Sequence, residues 1–179
     1  MSTVRRIGSF LLVLSVAMGE VGIHTLRGIE KIKVVIEDLT VDSTMNGVTE
    51  DGLRSKAEFA LKQIGIVSID DSDKAADSSV PILYVSLTTD KADGFHTYVI
   101  RLELLQAVCL ARDLTITASS ATTWSTLRFG RVDEHGFGGK IQNVLTIMLQ
   151  SFQDDFQSVN PAVWPPRDRT KVVIPSVSQ

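Results

Sequence analysis

The sequence predicts an α+β fold: a two-layer sandwich with a four-stranded, mostly antiparallel sheet and two helices on one face, in the order β-α-β-β-β-α. Three observations predict it. Apolar residues recur at helical spacing in two long stretches, each with one apolar side. Strand-period alternation fills most of residues 80–128. One side of that region is rich in serine and threonine, so both helices must cover the other side.

The chain has 179 residues, 44% of them hydrophobic and only 5 of them proline, which suits one domain with its own core. Its formal charge of −3 and pI near 5.6 exclude a general nucleic-acid binder, which needs a basic stripe. Residues 1–19 have the three parts of a secretory signal peptide: Arg5 and Arg6, an apolar run from Phe10 to Val16, and small residues at Ala17 and Gly19. The apolar run is shorter than the ~20 residues that span a bilayer. An exported protein, periplasmic or extracellular, is therefore expected, with a membrane partner only if that segment is retained. Taking Arg5 and Arg6 from the 18 basic residues leaves 16 against 21 acidic ones, a formal charge of −5.

The domain is expected over residues 20–161. Its first strand reads from Glu30 to Val41, with two candidate inner faces: Ile32, Val34 and Ile36, or Val35, Leu39 and Val41. Thr49 is placed to cap a helix with Glu50 and Asp51 in its first turn, where the macrodipole favours negative charge. Leu53, Ala57, Leu61 and Ile64 then recur at helical spacing, and Gly65 marks the stop. The acidic stretch with Asp70, Asp71, Asp73 and Asp77 lacks the ligand spacing, turn glycine and closing glutamate of a calcium loop, and reads as an exposed linker.

The meander begins with a strand from Val80 to Asp90, where Leu83, Val85 and Leu87 alternate with Tyr84, Ser86 and Thr88. Asp93-Gly94 supplies the turn. A long strand from Phe95 to Ala111 follows, with Tyr98, Ile100, Leu102 and Leu104 on one face. Cys109, the single cysteine, is expected there as a small buried hydrophobe. In the third strand Leu114, Ile116, Ala118 and Trp124 share one face, and Thr115, Thr117, Ser119, Thr123 and Ser125 the other. Ile141, Val144, Leu145, Met148, Phe152, Phe156 and Val159 form the stripe of the strongest helix, ended by Asn160 and Pro161. Residues 162–179, proline-rich and aperiodic, read as a mobile tail.

From Glu30 to Pro161 this element order resembles two kinds of small bacterial envelope domain, the LptE-like lipopolysaccharide-assembly lipoproteins and the TolB amino-terminal domain. The resemblance is one of layout and export, without a diagnostic motif or a lipid-anchor cysteine. It implies a class of exported modules that bind envelope proteins or lipids, and it assigns no residue a role.

Chemistry-bearing motifs are few. The stretch HGFGGK, residues 135–140, lacks the first glycine and the hydroxyl residue of a phosphate-binding P-loop, since Glu134 and Ile141 occupy those places. It reads as a hinge into the last helix. A helix entrance still attracts anions through free amides. A candidate anion or partner surface therefore comprises Trp124, Arg128, Arg131, His135, Gly138, Gly139 and Lys140. His135 and His96 lack metal-site spacing and read as surface histidines, and no cofactor is expected. The leading expectation is a non-catalytic exported binding or assembly module of the cell envelope. The alternatives are a metal-assisted hydrolase using His135 with Asp133 or Glu134, and a membrane-tethered accessory subunit.

Overall fold

The computed structural model describes residues 22–69 and 80–161. The leader, the acidic linker and the tail anticipated above lie outside the described residues. The elements are β1 (Lys31–Ile36), α1 (Val41–Met45), α2 (Glu50–Gln63), β2 (Val67–Ile69), β3 (Ile82–Ala92), β4 (Phe95–Leu110), β5 (Asp113–Asp133) and α3 (Phe137–Val159). Short 3-10 turns lie at Ile23–Leu26 and Glu134–Gly136.

The fold is α+β with one open sheet, but the sheet has five strands rather than four, in the order β2-β1-β3-β4-β5. The added strand, β2, is three residues long, too short to show a period, and it pairs parallel to β1 directly after Gly65 turns the chain at φ +80°. β1 is also parallel to β3, whereas β3, β4 and β5 are antiparallel. Two of the four strand interfaces are thus parallel, and the sheet is more mixed than the mostly antiparallel one anticipated.

β1 also ends at Ile36, five residues before the expected Val41. Thr40 has extended backbone and its side chain accepts from the Ser43 amide at 3.3 Å, which caps α1. Val41, whose β-branch favoured a strand reading, is an exposed first residue of that helix. The inner face of β1 is Ile32, Val34 and Ile36, all buried. β2 pairs only with Lys31 to Lys33, so the Val34 carbonyl beyond it takes a 2.6 Å hydrogen bond from the Arg54 guanidinium of α2.

Capping and turn chemistry follow the sequence elsewhere. Thr49 accepts from the Gly52 amide at 3.1 Å at the start of α2. Asp93 and Gly94 have φ of 52° and 75°, and Ala92 pairs with Phe95, which makes a two-residue hairpin of the type that suits strand twist. Leu83, Val85 and Leu87 of β3 and Tyr98, Ile100, Leu102 and Leu104 of β4 face the helices. α2 lays Leu53, Ala57 and Leu61 on this face, and α3 adds Ile141, Leu145, Met148 and Phe152, all in one core. Each buried leucine, isoleucine, valine, methionine or phenylalanine among them contributes ~1.5–3 kcal/mol by leaving water.

Two polar side chains fasten the helices. Gln153 of α3 donates to the Ala60 carbonyl of α2 at 2.8 Å. Asn160, at the α3 C-terminus, donates to the Leu26 and Phe156 carbonyls at 3.1 and 2.8 Å and accepts from the Gly28 amide at 2.8 Å. Asp155, which adjoins Asp154 in the sequence, accepts a 2.8 Å hydrogen bond from Trp124 Nε1. The Trp124 ring packs edge-on against Phe152 at 5.1 Å between centroids. Replacing Asp155 by alanine strands a half-buried indole N–H and is expected to cost ~1–2 kcal/mol. Asp154→Ala should stay within ~0.5 kcal/mol. Urea unfolding of the two variants checks the contrast.

Candidate interaction surface

Beyond Leu104 on β4, and before Trp124 on β5, the two strands leave the core and continue as a two-stranded ribbon. Residues 111–120 are all exposed. Leu114 is 69% exposed and Ile116 44%, so the anticipated inner face of this stretch is outside. Cys109 is likewise exposed rather than buried. Among the described residues no helix reaches this far along the sheet to cover either side.

The ribbon is irregular in a defined way. Register shifts fall between Leu104 and Leu105, Gln106 and Val108, and Cys109 and Leu110, with extra residues on β5 each time. At the first shift Thr123 is the extra residue, and Gln106 Nε2 holds its hydroxyl at 2.8 Å while also reaching the Thr25 carbonyl at 3.1 Å. That contact ties the ribbon's base to the N-terminal 3-10 turn. At the tip, Asp113 Oδ1 accepts from the Thr115 amide at 3.0 Å and its hydroxyl at 2.7 Å, and these bonds hold the Asp113 carboxyl below the usual range.

β5 has no neighbour on its outer side among the described residues. Edge strands are ordinarily guarded by charge or proline. From Leu114 to Leu127 β5 has neither. Farther on, the uncovered face of the sheet carries Phe129, 78% exposed, and Arg131, whose guanidinium lies 4.1 Å above the Phe95 ring. The same face holds a shallow depression of about 210 Å³ lined by Glu37, Tyr84, Ser86, Thr88, Val99, Arg101 and Glu103. Desolvation, followed by the charge and hydrogen bond of Glu37 and the charges of Glu103 and Asp38, pushes the Tyr84 phenol up. Burial alone raises Tyr98.

The residues proposed from sequence are not brought to one place. Trp124 is buried and engaged by Asp155. Arg128 is exposed on the helix-covered side of β5, and its guanidinium bonds locally to the Leu127 carbonyl at 3.0 Å. Arg131 is on the opposite face. His135 is exposed in the 3-10 turn, where Asp133 Oδ1 is occupied by the Gly136 amide at 2.9 Å. Lys140 and Gly139 are exposed on the first turns of α3, and Gly138 packs inward. Among the described residues no three His, Cys, Asp or Glu side chains gather as a metal site, and no helix is long and apolar enough to cross a membrane.

HGFGGK is a packed junction. Phe137 is fully buried and lies 4.5 Å from the His96 ring. His96 is also fully buried, against the surface position read from sequence, because it shares the inward parity of Tyr98 and Ile100. Its Nδ1 lies 3.0 Å from Asp42 Oδ2, close enough for an ion pair but outside hydrogen-bonding angles, and neither ring nitrogen has a hydrogen-bond partner. That parity was the available signal for His96. The ribbon's exposure had none, since it depends on where the helices end.

No protein-family model matches the sequence, and no curated protein matches it. Among solved structures the chain is similar to a point variant of the PelC dodecamer from Paraburkholderia phytofirmans, at 15% identity and a TM-score of 0.41 over 72% of this chain and 89% of that one. The PelC dodecamer in a second crystal form gives 15%, 0.40, 71% and 88%. A minor lipoprotein from Acinetobacter baumannii gives 10%, 0.36, 74% and 94%. The LptE-like and TolB layouts are not among these likenesses.

Two adjacent glycines separate packing from propensity. A Cβ on Gly138 would meet the Asn46 carbonyl oxygen at 2.7 Å, whereas one on Gly139 meets nothing within 4 Å. Gly138→Ala is expected to destabilise by ~1–3 kcal/mol, and Gly139→Ala to stabilise by ~0.5–1 kcal/mol through helix propensity. Thermal unfolding of both variants reads the opposite signs.

The two tyrosines, Tyr84 and Tyr98, are the only ones in the chain. Both have folded pKa values raised above the unfolded value near 10. Their contribution to stability is therefore complete below about pH 10 and lost as pH rises through the folded values. Absorbance titration of the phenolates should show both ionising above the denatured chain, and Tyr84→Phe should leave one raised step.

Proposed function

We propose that the chain is a non-catalytic binding or assembly module exported to the cell envelope, with residues 1–19 as its leader and the β4–β5 ribbon as its working part. The observation that carries this reading is the ribbon itself. Leu114 and Ile116 are exposed on a structure that adds nothing to the core, next to an uncharged strand edge. Exposed apolar side chains and open backbone groups together are what strand addition by a partner uses. The leader supports export, and a formal charge of −5 after its removal fits protein or lipid partners rather than nucleic acid.

Photo-crosslinking residues placed at Leu114 and Ile116, in cells making the full chain, should trap discrete adducts that a probe at the exposed Asp51 of α2 does not. Replacing residues 107–120 by a short turn should remove the adducts and leave the thermal midpoint within a few degrees, because that stretch lies outside the core. Absence of adducts at both ribbon positions would sink the reading.

A further inference from the structure

We infer that the outer edge of β2, with the side of α2 next to it, joins a second copy of this chain, the two β2 strands running antiparallel about a two-fold axis at Ser68. The contact is separate from the ribbon, because β2 and β5 are opposite edges of the sheet. β2 has no neighbour on its outer side among the described residues. Ser55, Glu58, Phe59 and Lys62 of α2, with Val67 and Ser68 of β2, line a depression of about 530 Å³ along that edge. Phe59 is 63% exposed there and Val67 53%. Glu58 and Lys62 stand about one helical turn apart with opposite charges, and among the described residues neither enters an ion pair. Such a stripe is complementary to itself when antiparallel, since each Glu58 then meets the Lys62 of the other copy.

One geometry satisfies strand, helix and side chains together. The Val67 amide donates to the Glu30 carbonyl at 3.0 Å, so Val67 and Ile69 turn their backbone groups toward β1 and Ser68 turns its own outward. Ser68 opposite Ser68 of the second copy therefore forms a reciprocal pair of N–H to C=O bonds. Edge-to-edge pairing has its axis perpendicular to the sheet, so opposed residues must share a side. A centre on Ser68 sets Val67 opposite Ile69 twice. Both belong to the uncovered side, since they pair with Lys31 and Lys33, while Ser68 pairs with the inward Ile32. The same axis leaves the two α2 helices antiparallel on one side of the joined sheet. α2 packs over β1 and β2, so strands ~4.8 Å apart bring the two helix axes to about 10 Å, the separation of packed helices. Glu58 meets Lys62 when the axis is level with Ala60, and Glu58, Phe59 and Lys62 share the depression with Ser68. Phe59 of each copy fills the middle of the contact.

Sedimentation equilibrium of the full chain from an exporting host tests this, with circular dichroism verifying that each variant folds. The chain is expected to dimerise, and Phe59→Asp to leave it monomeric. Glu58→Lys or Lys62→Glu alone sets like charges opposite each other twice and should weaken the dimer about tenfold, while the double exchange recovers it. The register is read with Cys109→Ser as background. Ser68→Cys places two α-carbons ~5.5 Å apart across the axis, within disulfide reach, and should link the copies under oxidised glutathione. Val67→Cys, more than ~7 Å from its own counterpart, should not. A monomeric wild-type chain overturns the contact and leaves the ribbon reading standing, since the ribbon adducts are scored separately. A dimer indifferent to Phe59→Asp, or one that the charge exchange does not recover, overturns this interface, and linkage through Val67→Cys in place of Ser68→Cys overturns the register.

Discussion

A helix advances ~1.5 Å per residue and a strand ~3.3 Å, and this difference in rise governs the molecule. α3, with 23 residues, is the longest helix among the described residues, and it can cover about ten residues of strand. The buried positions of β4, His96 to Leu104, span nine. β4 has 16 residues and β5 has 21, so each is longer than any helix available to cover it. Hydrogen bonding between the two strands continues where apolar burial stops. The division between a body with a core and a ribbon without one follows from that mismatch, and so does the exposure of Leu114, Ile116 and Cys109.

The covered end of the sheet is closed with unusual firmness. The chain leaves β5, makes one 3-10 turn held by Asp133, and enters α3 through Phe137, which fills the space beside His96. Gly138 then passes so near the Asn46 carbonyl that no side chain fits. Three glycines within four positions read as freedom in isolation, but here one of them buys close approach between a helix and the loop after α1. An imidazole with no hydrogen-bond partner under this junction is the least satisfied group in the described core, and Asp42 Oδ2 lies 3.0 Å from its Nδ1.

Local signals were legible where local chemistry decides the structure. The Thr49 cap, the Asp93-Gly94 turn and the α3 stripe each depend on residues within a few positions of one another, and each is found as read. β2 and α1 were not legible. Three residues show no period, and the stretch from Thr40 to Met45 offered a β-branched valine where the capping threonine was the stronger determinant. The alternation of Leu114, Ile116, Ala118 and Trp124 was visible, but which of them is covered depends on the length of a helix farther along the chain. The candidate surface shared that difficulty: Arg128 and Arg131 are close in the sequence, yet a strand sends them to opposite faces.

The bulged ribbon also changes how a single strand should be regarded. Along β4 the pairing with β5 is nearly continuous, yet the burial behind it ends at Leu104. Hydrogen bonds on the two sides of that residue therefore belong to different cooperative units: those toward His96 open only when the core opens, and those toward Leu110 open by fraying from the tip. The limit of the folding unit thus falls in the middle of a strand rather than at a loop, and the ribbon can rearrange its pairing without any loss of the body that carries it.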